Sequence, residues 1–331
     1  MSRSRNFSNW AYWRLQLEEV AASATAASLD DAGRTRTRLW LAAQLGPHPA
    51  PVDLDLETTE TVDCGEYSRS RIVFDVEATM SVPAYLLVPH ARRDAAPGAA
   101  VLAIHGHGPG KSLVCGIDPG GPGDDYAHAL ARLGYVVLAP DMRGFGERRD
   151  WMPEDKYHCD WDLVCATMAG VVPLERNLWD LMRALDVLCA HPLVDPARVA
   201  AAGLSFGGTC TLFLAALDAR VRVAVVSGYL SSWRAAHTVP WNMCGSQVMP
   251  GQLGTIEHVD VAALFAPRPL LVESGTDDII FPAGAARETV ARLRALYERL
   301  GAPDDALVHD VFEGDHQWHG AAVPAFLERW L

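Results

Sequence analysis

The chain has no long apolar run, no closely spaced cysteine pair and no excess of positive charge. Nowhere do about 18 apolar residues follow one another, so no membrane-spanning helix is predicted. The seven cysteines include no Cys-x-x-Cys pair, which favours scattered reduced thiols over a disulfide framework or a zinc knuckle. The formal net charge is −13, so phosphate backbones and anionic membranes would be repelled on average. We therefore expect no nucleic acid and no membrane among the partners.

What the sequence does contain is typical of a globular protein. Its 331 residues are 50% hydrophobic and 21% charged, which is enough to form a large core. The basic residues near the N-terminus are followed by segments that Gln, Glu, Arg or Ser interrupt, so no secretory signal is predicted. These features predict a cytoplasmic location.

A proline-rich stretch at 46–53 separates two kinds of pattern. Before it, apolar residues such as Trp10, Trp13, Leu17 and Val20 recur at helical spacing, so 8–45 is expected to form one or two amphipathic helices. After it, 55–77 and 81–89 alternate in the manner of antiparallel strands. We predict a helical extension over 1–50 and a main α/β domain over 51–331, with the N-terminal helices as a candidate contact between copies of the chain.

From Ala99 onward, short apolar runs alternate with helical patterns. The runs begin with "AAVLAIH" and "YVVLAPD", and helical stretches such as "LERNLWDLMRALDVLCAH" separate the later ones. Runs that are apolar on both faces predict a doubly wound, mostly parallel sheet, with its ligand site at the carboxyl ends of the strands. Two segments, 148–172 and 229–263, do not fit this alternation and are interpreted as pocket walls or a lid.

The segment "AAGLSFGGT" places Ser205 in a Gly-x-Ser-x-Gly sequence between a predicted strand and a predicted helix. Small flanking residues suit any tight turn, but they also suit a strained turn that exposes a nucleophilic hydroxyl. A serine nucleophile needs a base and an acid that orients it. Both follow in the expected chain order, because Asp277 and Asp278 come after one strand and His316 comes after the last.

These motifs resemble the α/β-hydrolase superfamily, and within it the dienelactone-hydrolase and acetylxylan-esterase-like branch. The resemblance rests on "PDMRGFGE", "APRPLLVESGTDDIIFP" and "FEGDHQW", and it extends from about residue 72 to the end. It implies a triad of Ser205, Asp278 and His316, since Gly275-x-x-Asp278 matches the family's acid loop. It also implies an oxyanion hole formed by the backbone N–H groups of Phe206 and His107.

Other polar and aromatic residues carry weaker signals. Trp241, Met243, Cys244 and Trp318 are candidate substrate-pocket residues, although packing within the core would explain them equally well. The pairs His105-x-His107 and His316-x-x-His319 could suggest metal ligands, and His158-Cys159 could join them. No carboxylate or thiol spacing completes a site, however, so no metal is predicted. "GHGPGK" does not match a phosphate-binding loop, and no cofactor is expected.

The sequence therefore predicts a serine esterase that cleaves a small or medium carboxylic ester or lactone through an acyl-enzyme. Two alternatives stay open. The same triad could cleave a carbon–carbon bond, an amide or a peptide, and the chain could be a binding protein on a hydrolase fold.

Overall fold

The computed structural model describes residues 6–24, 28–152, 158–239, 242 and 244–331. Within these ranges, nine strands form one sheet in the order β1-β2-β3-β5-β4-β6-β7-β8-β9. The pairs β1–β2, β2–β3 and β3–β5 are antiparallel, and all the other neighbouring pairs are parallel. The strands are β1 Glu57–Asp63, β2 Tyr67–Glu77, β3 Met80–Pro89, β4 Gly98–Ile104, β5 Val136–Pro140, β6 Val194–Leu204, β7 Val223–Ser227, β8 Leu270–Gly275 and β9 Leu307–Phe312.

The helices follow the strands on both sides of this sheet. Their bounds are α1 Asn9–Ser23, α2 Asp31–Leu45, α3 Lys111–Val114, α4 Tyr126–Arg132, α5 His158–Ala169, α6 Pro173–Ala190, α7 Phe206–Leu217, α8 Trp233–His237, α9 His258–Phe265, α10 Ala283–Arg299 and α11 Val323–Trp330. Together with the parallel strands, they confirm the α/β class predicted from the alternating pattern.

The central strand β4 shows why its sequence is apolar throughout. Val101 and Ala103 pack into one core cluster, together with residues of α4 and α11. Ala100, Leu102 and Ile104 pack into the other, together with residues of α2, α6, α7, α9 and α10. Successive side chains of a strand point to opposite faces, so a strand covered on both faces has no polar side. This covering by helices confirms the doubly wound arrangement.

The N-terminal segment forms two helices, as the spacing allowed. Helix α2 buries Leu41 and Leu45 against the core. Helix α1 has no buried residue, and its Trp10 and Trp13 are 44% and 58% exposed. Helix α2 is thus the N-terminal helix that is anchored to the core. Contact between copies of the chain through these helices stays a prediction. No described helix is both long and apolar enough to cross a membrane.

Candidate active site

Ser205 lies at the sharp turn between β6 and α7. Its φ of 60° and ψ of −120° are unusual for a residue other than glycine. The neighbouring glycines make the turn feasible, because a Cβ on Gly207 would lie 1.9 Å from the carbonyl oxygen of Ile104. A Cβ on Gly203 would lie 2.5 Å from the backbone of Gly207. The Gly-x-Ser-x-Gly sequence therefore allows a helix to begin directly against two strands, with the serine at the turn.

Asp278 and His316 come together beyond the ends of β8 and β9. The Asp278 carboxylate is buried, and its Oδ2 lies 2.8 Å from Nδ1 of His316. Its Oδ1 accepts hydrogen bonds from the backbone N–H groups of Ile280 and Phe281, both at 2.8 Å. Asp277 is exposed, and its backbone N–H donates to the carbonyl of Gly314. Of the two aspartates, Asp278 is the one that can orient the imidazole.

The second ring nitrogen of His316 is directed away from this carboxylate. Nε2 is buried and has no hydrogen-bond partner among the described residues. The ring stacks on Phe281, with centroids 5.7 Å apart. A Cβ on Gly228 would lie 3.1 Å from Cε1 of His316, so a larger residue would crowd the ring. The imidazole is thus held through Nδ1, and among the described residues its Nε2 has no hydrogen-bond partner.

Ser205 and His316 both line one cavity of about 800 Å³. Its described wall combines apolar side chains with acids, amides and thiols. The lining residues are Gly106, His107, Leu113, Val114, Asp124, Tyr126, Cys159, Asp160, Leu204, Ser205, Asn242, Cys244, Gln247, Ile280 and His316. The cavity lies at the carboxyl ends of the parallel strands, where the sequence pattern predicted a ligand site.

The candidate oxyanion donors flank the serine. Phe206 is the first residue of α7, so its N–H has no partner within the helix. His107 follows Gly106 in the loop after β4, and both line the cavity. His105 holds this loop, because its Nδ1 lies 2.7 Å from the Gly106 carbonyl oxygen and its Nε2 accepts from the Met142 N–H at 3.0 Å. Burial lowers the pKa of His105, which suits this neutral, structural role.

A partly buried ion-pair network, with Lys111 and Asp141 at its buried end, supports the loops beside the cavity. Lys111 Nζ lies 2.5 Å from an oxygen of Asp141 and 2.5 Å from one of Glu147. Glu147 also pairs with the Arg71 guanidinium, which is the main cause that lowers the Glu147 pKa to about 2. Lys111 follows the loop after β4, and Asp141 directly follows β5, so the network ties the segments after these two strands together.

The four candidate pocket residues have different outcomes. Cys244 lines the cavity. Trp241 and Met243 lie outside the described residues. Trp318 is not part of the described cavity wall, because it is buried against Tyr126, with ring centroids 4.2 Å apart. Trp318 is therefore better explained by packing.

His319 is not placed to replace His316. Its Nδ1 lies 2.7 Å from Asp310 Oδ2, and its ring stacks on Phe312 with centroids 4.4 Å apart. It lines a smaller cleft of about 270 Å³ together with Trp318.

A histidine and two cysteines meet in the cavity wall. Cys159 Sγ lies 3.6 Å from His107 Nε2. One side-chain donor atom from each of His107, Cys159 and Cys244 lies within 4.8 Å of the other two. The hydrogen bond from the Cys159 thiol, helped by His107, lowers the pKa of Cys244, while the same contact raises the pKa of Cys159. Cys244 is thus the more acidic thiol of the pair.

Several polar wall residues were not singled out from the sequence. Asp124, Asp160, Asn242 and Gln247 all line the cavity. Gln247 accepts a hydrogen bond from Thr209 on α7 at 2.7 Å. Asp160, Asn242 and Gln247 belong to the two segments that do not fit the alternation of strands and helices. That irregularity was the only sequence signal for them. The irregularity indicated the segments but not the side chains that face inward.

Comparison with known proteins adds a family match and one relative of nearly full length. The family described as Acetyl xylan esterase (AXE1) matches residues 52–243. A Bacillus subtilis protein, YtaP, carries the name of a hydrolase. It is 29% identical over 311 residues, which cover 90% of this chain and all of the relative.

Solved structures share the fold at lower sequence identity. A Bacteroides fragilis protein that carries the name of an acetyl xylan esterase matches with a TM-score of 0.72 and 18% identity, covering 94% of this chain and 83% of that one. A glucuronoyl esterase from Solibacter usitatus matches with a TM-score of 0.67 and 16% identity, covering 92% and 97% of the two chains.

Proposed function

Since this chain belongs to the acetyl xylan esterase family, we propose that it hydrolyses a carboxylic ester with Ser205 as nucleophile, His316 as base and Asp278 as orienting acid. The observation that carries this proposal is the Asp278–His316 contact of 2.8 Å, made by a histidine that lines the same cavity as Ser205. The expected resemblance to α/β-hydrolases and acetylxylan esterases is confirmed by the family and fold matches. The likeness to dienelactone hydrolases stays a prediction.

In the first step, Ser205 Oγ attacks the ester carbonyl carbon while His316 Nε2 takes the hydroxyl proton. Nε2 is free to accept it because Nδ1 carries the proton that faces Asp278. The tetrahedral intermediate collapses when the C–O bond to the alcohol breaks and His316 gives its proton to the leaving oxygen. The products of this step are an alcohol and an acyl group on Ser205.

In the second step, water resolves the acyl-enzyme. His316 takes a proton from the water, whose oxygen attacks the acyl carbon, and then returns the proton to Ser205 as the bond to the serine breaks. The carboxylic acid leaves, and the enzyme is regenerated without a cofactor. Backbone N–H groups of Phe206 and His107 stabilise the oxyanion in both steps of this proposal, and losing one such donor typically costs about a hundredfold in rate.

The walls of the cavity support an acyl ester of a hydroxyl-rich alcohol as the substrate class. Asp124, Asp160, Asn242 and Gln247 line the cavity and can exchange hydrogen bonds with alcohol hydroxyls, a capacity that a purely apolar ester would not use. Leu113 provides an apolar surface in the same wall, and it suits a short acyl chain. Relatives named as acetyl xylan esterases favour an acetyl group on a carbohydrate.

The test combines covalent labelling with turnover. Wild type, Ser205→Ala and Ser23→Ala are incubated with a fluorophosphonate, and the mass of each intact protein is measured by mass spectrometry. Each protein is also assayed with p-nitrophenyl acetate and butyrate. Ser23 is an exposed serine at the end of α1, and it is the matched control. We expect a single adduct on wild type and Ser23→Ala, no adduct on Ser205→Ala, and ester turnover that parallels labelling.

Other outcomes would contradict the proposal in distinct ways. An active Ser205→Ala protein would exclude Ser205 as the nucleophile. A labelled enzyme that ignores acetate and butyrate esters would favour the carbon–carbon or amide alternative. An unlabelled wild type with native thermal unfolding would favour a binding protein on a hydrolase fold.

A further inference from the structure

Beyond ester hydrolysis, we propose that His107, Cys159 and Cys244 form a binding site for a soft divalent cation, Zn²⁺, in the wall of the cavity. The three residues come from separate parts of the fold, namely the loop after β4, the first turn of α5 and the segment before a short helical turn at 245–247. Their donor atoms all lie within 4.8 Å of one another.

The spacing of one donor pair, His107 and Cys159, fits tetrahedral zinc. Zinc binds histidine nitrogen at about 2.0–2.1 Å and cysteine sulfur at about 2.3 Å, so a tetrahedral angle separates the two ligand atoms by about 3.6 Å. The observed distance between His107 Nε2 and Cys159 Sγ is 3.6 Å. This pair could therefore bind the metal without a change in its separation.

The chemistry of the donors selects the metal. One imidazole and two thiolates form a soft set that suits zinc and disfavours magnesium and calcium, which prefer oxygen ligands. Two thiolates also balance the charge of a dication. Binding requires both thiols to be deprotonated, so uptake of the metal releases protons.

Two aromatic rings contact the exposed His107 side chain, and one coordination position stays open. The His107 ring lies against Phe145 and Phe206, with centroids 5.4 Å and 5.3 Å away. Cys159 is buried and Cys244 is half-buried. Because all three ligands line the cavity, the fourth position faces the cavity as well. Three protein ligands with one open position are the arrangement of zinc sites that accept an exogenous ligand.

A disulfide between Cys159 and Cys244 is the main competitor for the same residues. It would leave His107 without a role, and it would need an oxidant. All seven cysteines are free thiols in the structure. The convergence of a third, nitrogen donor on the thiol pair favours the metal.

The experiment titrates the reduced, metal-free full chain with Co²⁺ and follows the thiolate-to-cobalt charge-transfer absorption, then adds Zn²⁺ to displace the cobalt. We expect one equivalent to bind with this absorption and zinc to abolish it. Cys159→Ser and Cys244→Ser should each weaken binding at least tenfold. Cys165→Ser is the matched control, since Cys165 is an exposed thiol on the same helix α5 and should bind as wild type does.

A histidine variant, a folding check and a mass measurement complete the test. His107→Asn keeps both thiols and the backbone, and it should shift the cobalt spectrum and weaken binding. Thermal unfolding of each metal-free variant identifies any protein that has failed to fold. The proposal is overturned if reduced wild type shows no charge-transfer band, or if folded variants of both cysteines bind cobalt as wild type does. It is also overturned if the purified protein has lost two hydrogens to a Cys159–Cys244 disulfide and, once reduced, takes up no cobalt.

Discussion

Exchanging one oxygen of Asp278 for nitrogen tests the proposed triad most directly. In wild type, Oδ1 accepts two backbone N–H groups, from Ile280 and Phe281, and Oδ2 faces Nδ1 of His316. In Asp278→Asn, the amide oxygen keeps the place of Oδ1, because an NH₂ group there would set a donor against two backbone N–H donors. The NH₂ group then faces His316 and forces Nδ1 to act as an acceptor.

This tautomer removes the base. With the proton on Nε2, His316 has no lone pair for the hydroxyl proton of Ser205. The same exchange in a serine protease lowers kcat about 10⁴-fold, and a fall of that size corresponds to about 5 kcal/mol in activation free energy. We expect a similar loss here, with little change in folding, since Asn has nearly the shape of Asp.

The assay compares kcat for p-nitrophenyl acetate hydrolysis in wild type, Asp278→Asn and Asp277→Asn, with thermal unfolding as the check on folding. Asp277 is exposed, so its variant should keep kcat within about threefold of wild type. An Asp278→Asn enzyme within tenfold of wild type would refute the tautomer argument. A larger loss in Asp277→Asn would move the acid to the neighbouring residue.

Two further predictions concern stability. Gly207→Ala should lower the free energy of unfolding by at least about 2 kcal/mol, because the new methyl group would lie 1.9 Å from the carbonyl oxygen of Ile104. Gly284→Ala, with nothing within 4 Å of its Cβ in α10, should raise it by about 0.5–1 kcal/mol, and equal effects in urea denaturation would contradict the close-packed turn. Burial raises the pKa of Glu257 from its ordinary 4.5 to about 7, so the stability that its protonated form contributes below pH 4.5 is lost as the pH rises through 7. Relative to wild type, Glu257→Gln should therefore gain about 3 kcal/mol between pH 4.5 and 8, and a pH-independent difference would contradict the shift.

The positions of the proposed triad residues could be read from the sequence because their constraints are local. The turn at Ser205 needs glycines within two residues on either side, and that requirement is visible in five letters of sequence. Asp278 and His316 lie three and four residues beyond the ends of β8 and β9. Strands β6, β7, β8 and β9 are parallel neighbours, so their carboxyl ends meet at one edge of the sheet. Local turn chemistry and strand order together bring Ser205 and His316 to one cavity, with Asp278 beside the histidine.

The cavity wall could not be predicted in the same way. Asp160 and Gln247 belong to segments without a repeating pattern, and their inward direction depends on packing against α7 and the sheet. Trp318 is a second case. Its sequence position fitted a pocket wall and core packing equally well, and only the fold shows its ring buried against Tyr126.

The two histidines after β4, His105 and His107, have different environments because the strand ends before them. Residues at positions i and i+2 would share a face if β4 continued, and a His-x-His pair would then suggest joint metal binding. The strand ends at Ile104, however, and the chain bends at 107–109. His105 is consequently buried, and its two ring nitrogens make hydrogen bonds with the backbone of Gly106 and Met142. His107 reaches the cavity, where Cys159, 52 residues further along the chain, becomes its neighbour. A search for ligands at short spacing misses such a site, because the fold rather than the sequence supplies the second and third donors.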